Sequence, residues 1–400
     1  MSAKRLFTPG ASRLWTIPAG DAFLETLANA LASAVDLTTQ SDALAEGVIY
    51  VPNRRSARAL ALALHRAAGD GAAILMPQIR ALGDLETDDA PPGVDAAFAN
   101  LGPALSAAKR DGALMQLVIG WFRARNIDLP PKAALSSAKE LASLLDAAAI
   151  AGDVDWSRLP DLVQEADLAA HWHQSVEFLS IITDAWPHWL DEQNAMDPLV
   201  RRLAAARTIA ETWAATPPSA PIVIAGSTGA TPASRILMSA ALELPMGLVV
   251  LPGVDGALTP EDTAAIAGES SHPQHALVRT LAQFGAKAAD VPVLLDCADE
   301  GLASRRALIH ESLSPAALTG DWRDRLATLA GDDTPTAFTR RALEGLDVVE
   351  CRDETEEALA AACIMRAGLE KQDQTIALVC PDANLARRVS AHLARWGLDV

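Results

Sequence analysis

The chain has 400 residues, 51 of them acidic and 33 basic, for a net charge of −18, and 50% are hydrophobic. That length spans two to three domains of about 100–200 residues each, and the apolar content excludes a globally disordered chain. The acidic balance excludes a generally basic nucleic-acid binder, so any contact with DNA or RNA must come from a local patch or a partner.

In chain order, Leu14-Trp15-Thr16-Ile17 has the apolar character of a strand and is ended by Pro18-Ala19-Gly20. Asp21 is placed to cap a helix running to about Val35, with Phe23, Leu24, Leu27, Leu31 and Val35 near one face. Val48-Ile49-Tyr50-Val51 is a compact buried strand stopped by Pro52-Asn53, and a helix follows over Arg54–Ala68. Ala73-Ile74-Leu75-Met76 is expected to be a third strand. This strand–helix alternation predicts an α/β fold with a parallel sheet. The acidic, proline-containing stretch from Asp84 to Asp95 reads as an exposed loop, and Pro103 to Ala215 carries helical patterns without a good strand. Within it, Leu168–Asp191 sets Trp172, Val176, Leu179, Ile182, Trp186 and Trp189 at mostly helical spacing.

The α/β rhythm then returns. Pro221–Ala225 is a strand, Gly226-Ser227-Thr228-Gly229-Ala230-Thr231-Pro232 a loop, Ala233–Leu242 a helix and Gly247–Gly253 another strand. His272–Phe284 is expected to be helical and Val291–Leu295 a weak edge strand, because its proline cannot donate to a ladder. A new unit starts near Gly345: strand Leu346–Glu350, acidic helix Asp353–Leu369, strand Thr375–Val379, helix Asn384–Trp396, and Gly397 at the C′ position. Leu398-Asp399-Val400 opens a further strand, so the expectation is an N-terminal fragment or a sheet completed by something else. The expected division is residues 1–95 and 216–335 as one α/β domain, 96–215 as an all-helical insertion, and 336–400 as the start of a second α/β domain.

The four cysteines, Cys297, Cys351, Cys363 and Cys380, form no CxxC pair, which fits a reducing cytoplasm better than a disulfide framework or zinc knuckle. No apolar run approaches the ~20 residues of a membrane span, and no long apolar core follows the basic residues of Met1–Arg5, so neither membrane association nor a signal peptide is expected.

The first strand–loop–helix is where a phosphate-binding P-loop sits in nucleotide hydrolases. A working loop needs a lysine for the phosphates and a hydroxyl for magnesium. Here Pro18, Ala19, Gly20, Asp21 and Ala22 offer neither, and Asp21 brings negative charge to the helix N-terminus where a phosphate would go. The loop is read as a degenerate nucleotide site or simply a capped turn. Arg54 and Arg55 open a helix at a strand's carboxyl end, where α/β sheets bind ligands, and are read either as phosphate contacts or as a solvated first turn. Ser227, Thr228 and Thr231 lie in a glycine-containing loop that lets a backbone approach a phosphate, or that forms a tight turn with Thr231 as helix cap and Pro232 behind it. His171-Trp172-His173 and His272-Pro273-Gln274-His275 are weighed as metal or catalytic groups and read as structural, and Asp353–Glu357 as an acidic first helical turn. No catalytic residue and no metal-ligand set is read from the sequence.

Three ordered segments carry a family resemblance: Val51–Leu60 with Ile74–Asp84; Ala225–Arg235 with Val249–Asp255 and His272–His275; and Thr375–Asp382 leading into Leu385–Val389. Together, over about Trp15 to Val400, they resemble the AddB-subunit family of AddAB-type helicase–nucleases in its alphaproteobacterial form. The resemblance implies a superfamily 1 helicase-like domain with a RecA-like parallel sheet. It also implies an AddA-type motor partner in a heterodimer, holding ATP and magnesium. The implied task is processing of double-strand DNA ends for recombinational repair, with this part contacting single-stranded DNA at a Chi-like sequence. The family's nuclease domain and iron–sulfur cluster lie downstream, so no cofactor is expected in this segment. The departure at Gly20-Asp21-Ala22 argues against ATP hydrolysis here, and Arg54, Arg55, Ser227, Thr228 and Thr231 are the implied DNA or partner contacts. Two alternatives stand beside this: an active P-loop NTPase or helicase, and a doubly wound nucleotide-sugar or metabolite enzyme using the Gly226–Thr231 loop.

Overall fold

A computed structural model describes residues 6–37, 39–69, 72–86, 91, 93–152, 154–162, 166–295, 299–371 and 374–399, side chains within 160–171 excepted. The chain divides into two compact units, Met1–Phe338 and Thr339–Val400.

The first unit is α/β, built on one five-stranded, all-parallel sheet. Its strands are β1 (Leu14–Ile17), β2 (Val48–Val51), β3 (Gln78–Ala81), β4 (Ile222–Ala225) and β5 (Gly247–Pro252), in the spatial order β1-β5-β4-β2-β3. The central strands read VIYV, IVIA and GLVVLP because both their faces are covered. Alternate residues serve opposite layers. Tyr50, Ile224 and Val249 face one core and Ile49, Val223 and Val250 the other.

Helices α1 (Phe23–Val35) and α2 (Arg54–Ala67) cover the second of these faces with Leu27, Leu31, Leu60 and Leu64. The chain then leaves the sheet for a helical excursion: α3 (Asp95–Phe98), α4 (Ala107–Arg123), α5 (Pro131–Ala151), α6 (Ala166–Ser180), a π-helical turn Ile181–Ala185, α7 (Trp186–Glu192) and α8 (Pro198–Ala215). Leu114, Val118, Leu141, Ile182 and Trp186 form its separate core. α8 returns to the sheet, where Ile209 and Trp213 join Leu237 and Met238 of α9 (Pro232–Glu243) over the first face. Beyond β5 come α10 (Pro260–Ala267), α11 (His275–Gln283), α12 (Glu300–Ser312) and α13 (Trp322–Ala330). The division between the units falls inside α14 (Pro335–Ala342).

Buried ionic groups tie the excursion to the sheet domain. Arg110 on α4 reaches Asp197, the residue capping α8, at 2.9 Å, and Asp146 on α5 at 2.8 Å. Arg201, fully buried on α8, donates to the carbonyls of Gly102 and Leu85.

Several expectations need correction. The third strand is Gln78–Ala81, not the apolar run Ala73–Met76. Pro77 lacks a donor, Leu75 is 60% exposed, and Gln78–Ala81 is the segment that pairs with Val48–Val51. An edge strand is covered less, so its sequence (QIRA) carries less of the apolar signal. Val291–Leu295 contributes a single parallel bridge, Thr16 to Val293, and ends where Leu295 turns to φ +55°. Asp21 does not cap α1: the N-cap position is Ala22, without a side-chain bond, and the Asp21 carboxylate is engaged elsewhere.

In the second unit, α15 (Glu354–Leu369) and α16 (Ala383–Arg395) pair through Ala358, Ala362, Val389 and Leu393. Asp353 caps α15 through the amides of Thr355 and Glu356, and Gly397 has φ +74° past the end of α16. The expected strands Leu346–Glu350 and Thr375–Val379 do not form, with Val348 84% and Val379 94% exposed. An apolar extended segment becomes a strand only with a hydrogen-bonded neighbour, and neither has one among the described residues.

Candidate functional site

A parallel sheet brings all its strand carboxyl ends to one edge, where open α/β sheets hold ligands. At that edge lies a cleft of about 550 Å³, lined by the loops after β1, β2, β4 and β5. Because β5 is inserted between β1 and β4, the turn Pro18–Asp21 faces the loop that starts at Gly226. Gly226 has φ +78°, and a Cβ there would meet the ring of Phe23 at 3.2 Å, so the loop leaves β4 by a path that favours glycine. The Gly253 amide donates to the Ile17 carbonyl at 2.8 Å, fastening the β5 and β1 ends together.

The β1 loop is closed from α12. Arg306 donates through Nη2 to Asp21 Oδ1 at 2.6 Å and through Nε to the Ala19 carbonyl at 2.7 Å. The Asp21 side chain is 1% exposed, and its Oδ2 has no hydrogen-bond partner. A nucleotide triphosphate does not fit such a loop. The position where its phosphates would meet free helix amides holds a buried carboxylate, and Arg306 is already committed to that carboxylate and to a main-chain carbonyl.

A second polar set sits behind the β5 end. Gln274 Nε2 donates to the Gly253 carbonyl at 2.9 Å, its Oε1 accepts from the Asp255 amide at 3.3 Å, and Asp255 Oδ2 meets His310 Nδ1 at 2.7 Å. The hydrogen bond to Asp255 raises the His310 pKa, against the opposing effect of its burial. For Asp255, burial is the largest influence and acts upward, but the bonds from His310 and the Ala257 amide outweigh it and lower its pKa. A raised histidine stabilises the fold below its ordinary pKa and loses that contribution as pH rises through the folded value. A lowered carboxylate stabilises above its ordinary pKa and loses it as pH falls through the folded value. The pair is therefore expected to contribute most between about pH 4 and 6.5. His310→Gln should lower the thermal midpoint most within that window and flatten its fall on either side of it, and an unchanged profile would exclude this role.

The residues expected from sequence divide. Pro18, Ala19, Gly20 and Asp21 line the cleft, and so does Thr228, whose carbonyl accepts from Thr280 Oγ1 at 2.9 Å. Ser227 Oγ accepts from the Gly229 amide, and Thr231 caps α9 through the Ser234 amide at 3.3 Å. Arg54 pairs with Asp84 at 2.8 Å, Arg55 is exposed, and Ser56, one residue on, reaches the cleft. His272 Nδ1 accepts from the Gln274 amide and its Nε2 bonds the Leu313 carbonyl, while His275 Nδ1 bonds the Ile266 carbonyl. Trp172 Nε1 donates to the Leu159 carbonyl and His173 lies beside Glu177; the His171 side chain falls outside the described residues, as does Cys297. Sequence reasoning missed Arg306 and His310, because Arg306 meets Asp21 across 285 residues, His310 meets Asp255 across 55, and α12 carries no local signature.

Among the described residues no three His, Cys, Asp or Glu side chains converge as a metal-ligand set, and no helix is long and apolar enough to cross a membrane. No protein-family model matches this sequence, and no curated protein matches it.

Proposed function

We propose that this chain is a helicase-like module that contacts single-stranded DNA without hydrolysing nucleotide. In this reading it is the AddB-type subunit of a cytoplasmic helicase–nuclease that processes double-strand DNA ends, working beside an AddA-type motor that holds ATP and magnesium. Its sheet domain is then a superfamily 1, RecA-like domain interrupted by a helical insertion.

The observation that carries the reading is the β1 loop. Asp21 and Arg306 fill it with an internal ion pair at the strand end where a motor would hold its phosphates. What remains open is a cleft whose polar groups are hydroxyls, main-chain groups and Gln274, a surface that binds without an acid–base pair set up for chemistry. The all-parallel sheet and the order of the three sequence segments support the family, and the net charge confines DNA to local patches. Fluorescence anisotropy of a labelled oligothymidylate tests it. The expected result is single-strand binding of equal affinity with and without ATP and magnesium, and no ATP turnover by the chain alone. ATP turnover that is lost on Asp21→Ala would replace this reading with that of an active NTPase.

A further inference from the structure

A second pocket, of about 260 Å³, opens between α8, α9 and α11 and is separate from the cleft. Arg207 from α8, Arg235 from α9 and Arg279 from α11 converge on it. Arg235 is a built element. Its Nη1 donates to the Gly229 carbonyl at 2.7 Å and the Ala230 carbonyl at 3.3 Å, and its Nε to Gln283 Oε1 at 3.0 Å. Burial lowers its pKa, and the neighbouring Arg279 charge acts in the same direction. No carboxylate among the described residues forms an ion pair with any of the three, although the chain carries 51 acidic residues. Three uncompensated guanidinium groups held together in an acidic protein repel one another, and an anion placed between them relieves that cost.

We propose that this pocket binds a phosphate group, and that its source is the backbone of the single strand. The choice of phosphate follows from the donors: several forks converge at once, which suits a group with charge spread over tetrahedrally arranged oxygens. The choice of a nucleic-acid backbone rests on the reading given under Proposed function, and on the loop between the two sites. Thr228 of that loop lines the cleft, while Gly229 and Ala230 hold Arg235.

The test uses Arg207→Ala with Arg279→Ala, both on exposed side chains, and Arg207→Lys with Arg279→Lys as a fold-preserving control. Oligothymidylate affinity is measured across a salt series, and inorganic phosphate binding by phosphorus NMR. The alanine pair is expected to weaken the oligonucleotide by about tenfold or more and to reduce the salt slope by about 1.4, roughly 0.7 per lost contact. It is also expected to abolish the phosphate effect, with the lysine pair intermediate in both. Wild-type oligonucleotide affinity that the alanine pair leaves unchanged would overturn the pocket while leaving the DNA reading standing. Phosphate binding lost in the alanine pair, with no oligonucleotide binding by wild type, would keep the phosphate site and overturn the backbone as its source together with the DNA reading. Absence of both kinds of binding in wild type would overturn the pocket and the reading alike.

Discussion

Replacing Arg110 with alanine is expected to destabilise the chain by about 3–5 kcal/mol, read by chemical denaturation. Arg110 and Asp197 are 8% and 5% exposed at their side chains, and Asp146 meets the same guanidinium. Removing the cation leaves two carboxylates facing each other, one of them deeply desolvated. Burial already raises the Asp197 pKa with the arginine present, so without it Asp197 must take up a proton or be exposed. Changing Arg110 and Asp197 together to leucine removes both charges, and the double variant should be less destabilised than the single one. A loss in the double variant equal to the sum of the two single-variant losses would show that the pair is not coupled. The consequence reaches past the insertion: Asp197 caps α8, and α8 carries Arg201 and Arg207.

Gly229→Ala should produce the second large effect, a loss of about 2–5 kcal/mol. Gly229 has φ +72°, which costs an alanine roughly 1–2 kcal/mol. The new Cβ would fall on Thr280 Oγ1 and lie 2.9 Å from Thr280 Cγ2, a crowding worth about 1–3 kcal/mol more. Thr280 is fully buried and bonds the Thr228 carbonyl, so it has little room to yield. Since the Gly229 carbonyl also receives Arg235, the variant should lower oligonucleotide affinity along with stability. Full stability would contradict the loop geometry.

How much was visible in the sequence follows from how each feature is made. β2, β4 and β5 are apolar on both faces, and such runs are plain in one dimension. The helix cap Thr231 was equally legible, because a cap bonds an amide two or three residues away; Asp353, read as part of an acidic first turn, is the cap of α15 instead. β3 was misplaced because an edge strand keeps its polar residues and the brighter apolar run lies just before it. Leu346–Glu350 and Thr375–Val379 have strand-like composition, but pairing is a tertiary property that composition cannot supply. Of the site, the β1 and β4 loops could be found from their place after strands and from the missing lysine. Arg306 could not, since it meets Asp21 across 285 residues. The arginine pocket was hidden for the same reason: its three members come from three helices and are 28 and 44 positions apart in sequence.

In the function proposed above, an acidic, helicase-like chain binds single-stranded DNA through a few local phosphate contacts and spends no nucleotide in doing so. Titration of a labelled oligothymidylate at about 50 and 200 mM salt, with and without ATP and magnesium, tests it most directly. Three or so phosphate contacts predict an affinity loss of about ten- to twentyfold over that range, identical in the two nucleotide conditions. Absent binding, affinity that does not change with salt, or affinity that changes with ATP would contradict it.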